Sequence, residues 1–320
     1  MNKFRTLEDT FKNSKRAILL GIGGGGDIVG TIPTAKLLES FGVDHVLGGL
    51  SWERSVIDPV PGPRKFHETV NARKINDAVW YTNRKTTTST GVKFAESRIA
   101  EFYGRETLLV DINNGAKEVV RGLLDAADKL GADLIVGIDV GGDAIAFGNE
   151  PGIMSPLADA IMTASLSELE KRMHTVMGVF GFGSDGELTM LELEKSIRKI
   201  ASEGGLLGSW GITHDTLKEL EKIVEIVPTE ASRLPVEAAK GIFDRTSIRS
   251  GRRSVSLSII STITFYLSPS VVFEKISEPA RTISDCRSLA EANVALHNLG
   301  LKTELDYELE RSTSEADSKR

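Results

Sequence analysis

The stretch D-L-I-V-G-I-D-V-G-G-D-A-I-A-F-G-N-E, Asp133–Glu150, begins as an almost unbroken apolar run and stops at a glycine pair bracketed by Asp139 and Asp143. An apolar run without polar alternation is the pattern of a strand covered on both faces, as in a mostly parallel sheet between helices. Two further runs of the same kind are A-I-L-L-G-I-G, Ala17–Gly23, and T-V-M-G-V-F-G-F, Thr175–Phe182. Shorter strand candidates are Val43–Leu47, Thr107–Ile112 and Thr262–Leu267. Helical periodicity fills the gaps, over Ile28–Ser40, Phe94–Tyr103, Ala116–Leu130, Pro156–Met173, Met190–Glu203, Asp215–Val224, Val236–Phe243 and Asp285–Leu299. Ser155 reads as the N-cap of the helix that Pro156 opens, and Leu188–Thr189 as the entry to the next. This alternation predicts an α/β fold, with a doubly wound, mostly parallel sheet and helices on both faces, Rossmann-like.

Composition agrees with such a fold and narrows the setting. The 320 residues are 40% hydrophobic and 26% charged, enough for a real core, with a net charge of −6. No basic excess of the kind a nucleic-acid scaffold carries is present. Cys286 stands alone, so no internal disulfide framework is possible. Ala17–Gly26 is too short and too glycine-broken for a signal or a spanning segment. A soluble, cytoplasmic protein without nucleic-acid or membrane partners is expected, with a homo-oligomer left open. One α/β domain should occupy residues 1–302, and a charged tail residues 303–320. Residues 51–93, with Pro59, Pro61, Pro63 and the run T-T-T-S-T, read as an irregular insertion, the usual material of lids and binding loops, or as a small hairpin around Ala78–Thr82.

Glycine is the compositional outlier, with 31 residues. Three of its clusters follow predicted strands and carry acids. The first is G-I-G-G-G-G-D-I-V-G, Gly21–Gly30. The second is Asp139–Glu150. The third is G-F-G-S-D-G-E-L-T, Gly181–Thr189. Glycine lets backbone amides approach a ligand, and open α/β sheets bind ligands at the carboxyl ends of their strands. Each turn can also be a plain connection in which the acid caps nearby amides. Their repetition favours one shared pocket, lined by Asp27, Asp143, Asp185 and Glu187. A fourth cluster, Gly204–Gly211, lacks acids and reads as a connector after a helix.

Roles follow from residue type. Asp27, Asp139, Asp143 and Asp185 are candidate metal ligands, and Asp143, Asp185 and Glu187 are candidate catalytic groups. The amides of Gly23, Gly24, Gly25, Gly26, Gly141 and Gly142, with Ser184 and Arg54, are candidates for holding a cofactor or an anion. Asp159 could join from the helix after Ser155. An oxygen-rich set without clustered His or Cys suits Mg²⁺ or Mn²⁺ and argues against zinc. A dinucleotide site would want an acid at the tip of the second strand, where Leu47-Gly48-Gly49 offers none, and the first turn lacks the Gly-Lys-Ser/Thr ending of a phosphate loop. No G-x-S-x-G elbow is present. Arg245, Arg249, Arg252 and Arg253 crowd one segment, as an anion clamp or a solvated basic loop.

The strings G-I-G-G-G-G-D-I-V-G-T, G-G-L-S-W-E-R, D-P-V-P-G-P-R, F-A-E-S-R-I-A, D-V-G-G-D with S-P-L-A-D-A, and G-V-F-G-F-G-S-D-G-E-L-T together resemble a mainly archaeal family catalogued only as a domain of unknown function. The resemblance spans about Ile18 to Leu267 and brings no reaction with it. Gly137–Gly148 is also similar to a G-I-G-D-G-G-N-E-I-G-M-G string of D-glutamate cyclases, with Asp143 in place of the asparagine. No role is taken from that short match. The expectation is a metal-dependent hydrolase, lyase or transferase acting on a small phosphorylated or carboxylated metabolite. The rival is a non-catalytic nucleotide-binding or ligand-sensing module.

Overall fold

The computed structural model describes residues 6–249, 251 and 253–318. Its centre is a nine-stranded sheet. Along the chain the strands are β1 (Arg16–Gly21), β2 (Asp44–Leu50), β3 (Arg73–Lys74), β4 (Val79–Thr82) and β5 (Thr107–Val110). They continue with β6 (Leu134–Val140), β7 (His174–Phe180), β8 (Leu206–Gly211) and β9 (Ile263–Leu267). Their spatial order is β8-β9-β7-β6-β1-β2-β5-β4-β3. From β7 to β5 all pairs are parallel, with Ile18 of β1 opposite Val46 on one side and Ile135 on the other. The outer pairs on both flanks are antiparallel.

The helices are α1 (Leu7–Lys12), α2 (Asp27–Gly30), α3 (Ile32–Ser40), α4 (Ala95–Tyr103), α5 (Gly115–Leu130) and α6 (Pro156–Glu170). After them come α7 (Met190–Ser202), α8 (His214–Ile226), α9 (Arg233–Ala239), α10 (Pro269–Lys275), α11 (Glu278–Ile283), α12 (Leu289–Asn298) and α13 (Glu304–Ser318). Successive strand residues feed two separate cores, as a period of two requires. Ile18, Leu20, Ile135 and Met177 pack with α5, α6, α10 and α12. Ala17, Leu19, Leu134 and Val176 pack with α1, α3, α4 and α8. Among the described residues no helix is long and apolar enough to cross a membrane.

Several expectations change in detail, each for a local reason. The helix expected over Ile28–Ser40 divides at Thr31, because Pro33 has no N–H to bond the carbonyl four residues back. Residues 51–93 supply β3 and β4, so this segment builds one edge of the sheet. Its proline loop is fixed by a buried ion pair, Arg64 Nε to Asp58 Oδ2 at 3.1 Å. The Gly204–Gly211 connector is half a connector. Gly204 ends α7 at φ +75°, and Leu206–Gly211 is the edge strand β8, paired with β9. Beyond Leu301 the chain forms α13, with Glu304 and Glu308 buried.

Candidate metal centre

The first glycine turn leaves β1 and enters α2. The Gly23 amide donates to Asp27 Oδ2 at 2.9 Å. A Cβ at Gly23 would lie 2.6 Å from that oxygen and 3.4 Å from Asp159 Oδ1, so only glycine lets both acids approach. The turn is filled by its own chain. The Gly25 amide donates to the Trp52 carbonyl at 2.7 Å, and Arg54 Nη2 donates to the Gly23 carbonyl at 2.7 Å. A Cβ at Gly26 would lie 2.4 Å from Thr229 Cβ, and one at Gly24 3.0 Å from the Trp52 oxygen.

The second and third turns are joined. The Gly141 amide donates to the Phe180 carbonyl at 2.9 Å, and the Gly183 amide to the Gly141 carbonyl at 2.7 Å. Gly141 and Gly142 hold φ of +121° and +118°. A Cβ at Gly141 would lie 2.2 Å from the carboxyl carbon of Asp185, which places the third turn's acid directly over the second turn. Asp185 Oδ1 accepts from the Glu187 amide at 3.1 Å.

Glu187 points back to the start of α6. Its Oε2 accepts from the Met154 and Ser155 amides at 2.7 and 3.0 Å, and its Oε1 from Ser155 Oγ at 2.6 Å. Ser155 stands at the N-cap position, but its hydroxyl makes no cap; it faces Glu187 and, at 3.2 Å, Asp143. Capping instead comes from a distance. Glu304 of α13 accepts from the Leu157 and Ala158 amides at 3.1 and 2.8 Å. Two acids thereby satisfy the open donors of a helix whose first turns carry Asp159.

The acids converge into two overlapping groups. One ligand oxygen from each of Asp139, Asp143 and Asp159 lies within 4.8 Å of the others, and the same holds for Asp143, Asp185 and Glu187. Asp139 Oδ2, Asp159 Oδ1 and Asp185 Oδ2 are buried without a hydrogen-bond partner. Their residues are 1%, 3% and 4% exposed. Burial raises the carboxyl pKa values of Asp139, Asp143 and Asp159 well above the usual range, and neighbouring carboxylates add to the effect. Asp27 is pushed up to about 7 and Asp185 to about 6, again chiefly by burial.

Glu187 is the exception. Burial would raise it, but the Arg249 and Arg253 guanidiniums and its hydrogen bonds hold it below its ordinary value. Arg249 Nη2 lies 3.1 Å and Arg253 Nη1 3.7 Å from Glu187 Oε1. Arg54 is pushed upward: burial opposes its charge, and Glu304, Asp27 and Asp159 more than offset that. The carboxyls outnumber these three guanidiniums, an imbalance that protons or bound cations must correct.

Among known proteins, a family model described as a protein of unknown function, DUF1152, matches residues 18–312. The chain belongs to the DUF1152 family. No curated protein and no solved structure matches it.

In this DUF1152 chain a narrow cavity lined by Asp143, Asp159, Ala144, Pro156, Ser277 and Pro279 reaches the acids. A roomier groove between α8 and α9, lined by Lys218, Glu221, Arg233 and Glu237, lies away from them, and the smaller cavity is the relevant one on chemical grounds. Ser184 Oγ is buried without a partner and sits under Gly181. β2 runs three residues further than its sequence suggested, and Glu53 follows its tip. The Glu53 carboxylate accepts from the Ala95 amide and faces the buried Glu96. Arg245 points away, bonded to Ser254 Oγ, and Arg252 lies outside the described residues. Glu304 leaves no signal in the sequence, because nothing in E-L-D-Y-E-L distinguishes a docked helix from a charged tail.

Proposed function

We propose that this DUF1152 protein is a divalent-metal-dependent enzyme acting on a small phosphorylated or carboxylated metabolite. Three buried carboxylate oxygens without partners, on Asp139, Asp159 and Asp185, carry the reading. An ionised carboxylate of this kind is costly to bury unless a proton or a cation completes it, and a cluster of them favours the cation. Asp139, Asp143 and Asp159 would hold the ion, and their all-oxygen donor set fits Mg²⁺ or Mn²⁺. Bound there, such an ion would supply Lewis-acid activation of a substrate or water oxygen. Arg253, whose Nη1 is buried without a hydrogen bond and lies 3.7 Å from Glu187 Oε1, would hold the substrate's anionic group. Asp185 is left to act as ion ligand or general base.

The strand order supports a doubly wound, Rossmann-like reading. Connections from the central strand β1 and from β6 part to opposite sides of the sheet, and ligands in such sheets sit at that point, at the carboxyl ends. The nucleotide-binding alternative is disfavoured by the first turn, where Trp52, Arg54 and Thr229 crowd Gly24, Gly25 and Gly26 and the Gly25 amide is already bonded to the Trp52 carbonyl.

Differential scanning fluorimetry tests the ion: Mn²⁺ or Mg²⁺ should raise the melting temperature of the wild type, and Asp139→Asn and Asp159→Asn should abolish the increase. A panel of phosphorylated and carboxylated metabolites then tests turnover. An equal metal response in the wild type and both variants removes the metal centre. A metal response without turnover of any of the metabolites leaves a sensing module.

A further inference from the structure

We propose that the chain holds a second divalent cation between Asp143, Asp185 and Glu187, sharing Asp143 with the first position and screened in this conformation by Arg249. The proposal rests on the metal-centre reading above and extends it from one ion to two.

Its basis is the second acidic group considered by itself. Oxygens of the three residues lie within 4.8 Å of one another. Arg249 and Arg253 neutralise Glu187, which accounts for one member of the group. They do not account for Asp185, whose Oδ2 is buried and without a partner over the glycine that makes room for it. The Glu187 amide bonds the other oxygen, Oδ1, and the Asp143 carboxyl lies within hydrogen-bond reach of Asp185, a pair that needs a shared proton or a cation between its oxygens.

The cation now nearest this group is partly open to solvent. The Arg249 side chain is 35% exposed, against 0% for its partner Glu187. Its backbone stands at φ +53°, a region that non-glycine residues seldom occupy, and its amide is held by Glu230 Oε2 at 2.8 Å. Glu187 Oε1 is the oxygen Arg249 touches, while Oε2 is tied to the amides of Met154 and Ser155. A divalent ion and the Arg249 guanidinium would therefore compete for one atom. Two ions sharing Asp143 would stabilise both the attacking and the leaving oxygen of a displacement at a phosphoryl or carboxyl centre. Displaced from Glu187, Arg249 is free to pair with that substrate.

Mn²⁺ binding to the purified full chain, by isothermal titration and electron paramagnetic resonance, distinguishes the cases. The wild type should bind a first ion tightly and a second more weakly. Arg249→Ala should tighten the second ion by about tenfold or more, the worth of one charge-assisted hydrogen bond, and give the exchange-coupled signal of a manganese pair. Asp185→Asn, close in shape to the wild type, should lose the second ion and keep the first. Arg249→Lys, which retains the charge, should stay near the wild type. A stoichiometry of one in both the wild type and Arg249→Ala at saturating Mn²⁺ overturns the second site and leaves the first. Binding of no ion by any form overturns both.

Discussion

At Gly141 a methyl group would have to lie 2.2 Å from the Asp185 carboxyl carbon while the backbone kept a φ of +121°. Gly141→Ala should therefore cost about 2–4 kcal/mol, combining backbone strain with a collision that has no room to relax. Gly131 ends α5 at φ +65°, and a methyl group there would meet nothing within 4 Å, so Gly131→Ala should cost only about 1 kcal/mol. Urea unfolding of both variants tests the contrast, and equal losses would mean that the close approach of Asp185 is not a constraint. The pairing of glycine with acid was legible at this scale. Asp27, Asp143, Asp185 and Glu187 follow apolar runs in the sequence, and the structure gathers their turns at one end of the sheet. What could not be read was which oxygen meets which amide. Ser155 looked like a cap by residue type, and its role passes to Glu187 and Glu304 because those acids arrive from 32 and 147 positions away.

Among the elements, α13 departs most from its sequence. Its charge pattern suggests solvent on every side, yet Glu308 Oε2 accepts from Trp52 Nε1 at 2.9 Å and from the Gly62 amide at 2.8 Å. Glu308→Ala leaves both buried donors without an acceptor and should cost about 1–3 kcal/mol in urea unfolding. Glu308→Gln, which keeps a carbonyl oxygen there, should lose less. If the two variants match the wild type, α13 is not anchored by this residue. The interior strands β1, β6 and β7 were readable because burial on both faces writes an unbroken apolar run. The edge strand β8, L-L-G-S-W-G, was not: with one partner and two glycines it lacks both the run and the alternation. The insertion was half readable: the hairpin reading around Ala78–Thr82 falls on β4, which pairs with β3 next to it, but its second, long-range pairing with β5 left no mark among the prolines and threonines.

For the molecule as a whole, the buried acids make stability depend on pH in a definite direction. Burial pushes Asp27 and Glu304 up to about 7 and raises Asp139, Asp143 and Asp159 as well. Without a metal, the folded chain keeps protons that the unfolded chain releases near pH 4. Stability from these groups is therefore complete below about pH 4 and declines as pH rises towards 7. In chelator-treated protein the melting temperature should fall between pH 5 and pH 8, by no more than roughly 2–4 °C for each kcal/mol lost in a chain of this size, and saturating Mn²⁺ should remove most of the fall. A flat or rising profile without metal would contradict the buried-acid account. The two margins of the sheet carry a different consequence. At one margin, the β8 register slips between Leu206 and Gly208, so its outward backbone groups do not form a straight row. At the other, β3 is two residues long, Arg73 and Lys74, both charged and exposed. A bulge at one border and a short cationic strand at the other are devices that discourage a second molecule from adding its own strand. Both borders of the sheet therefore discourage the addition of a further strand.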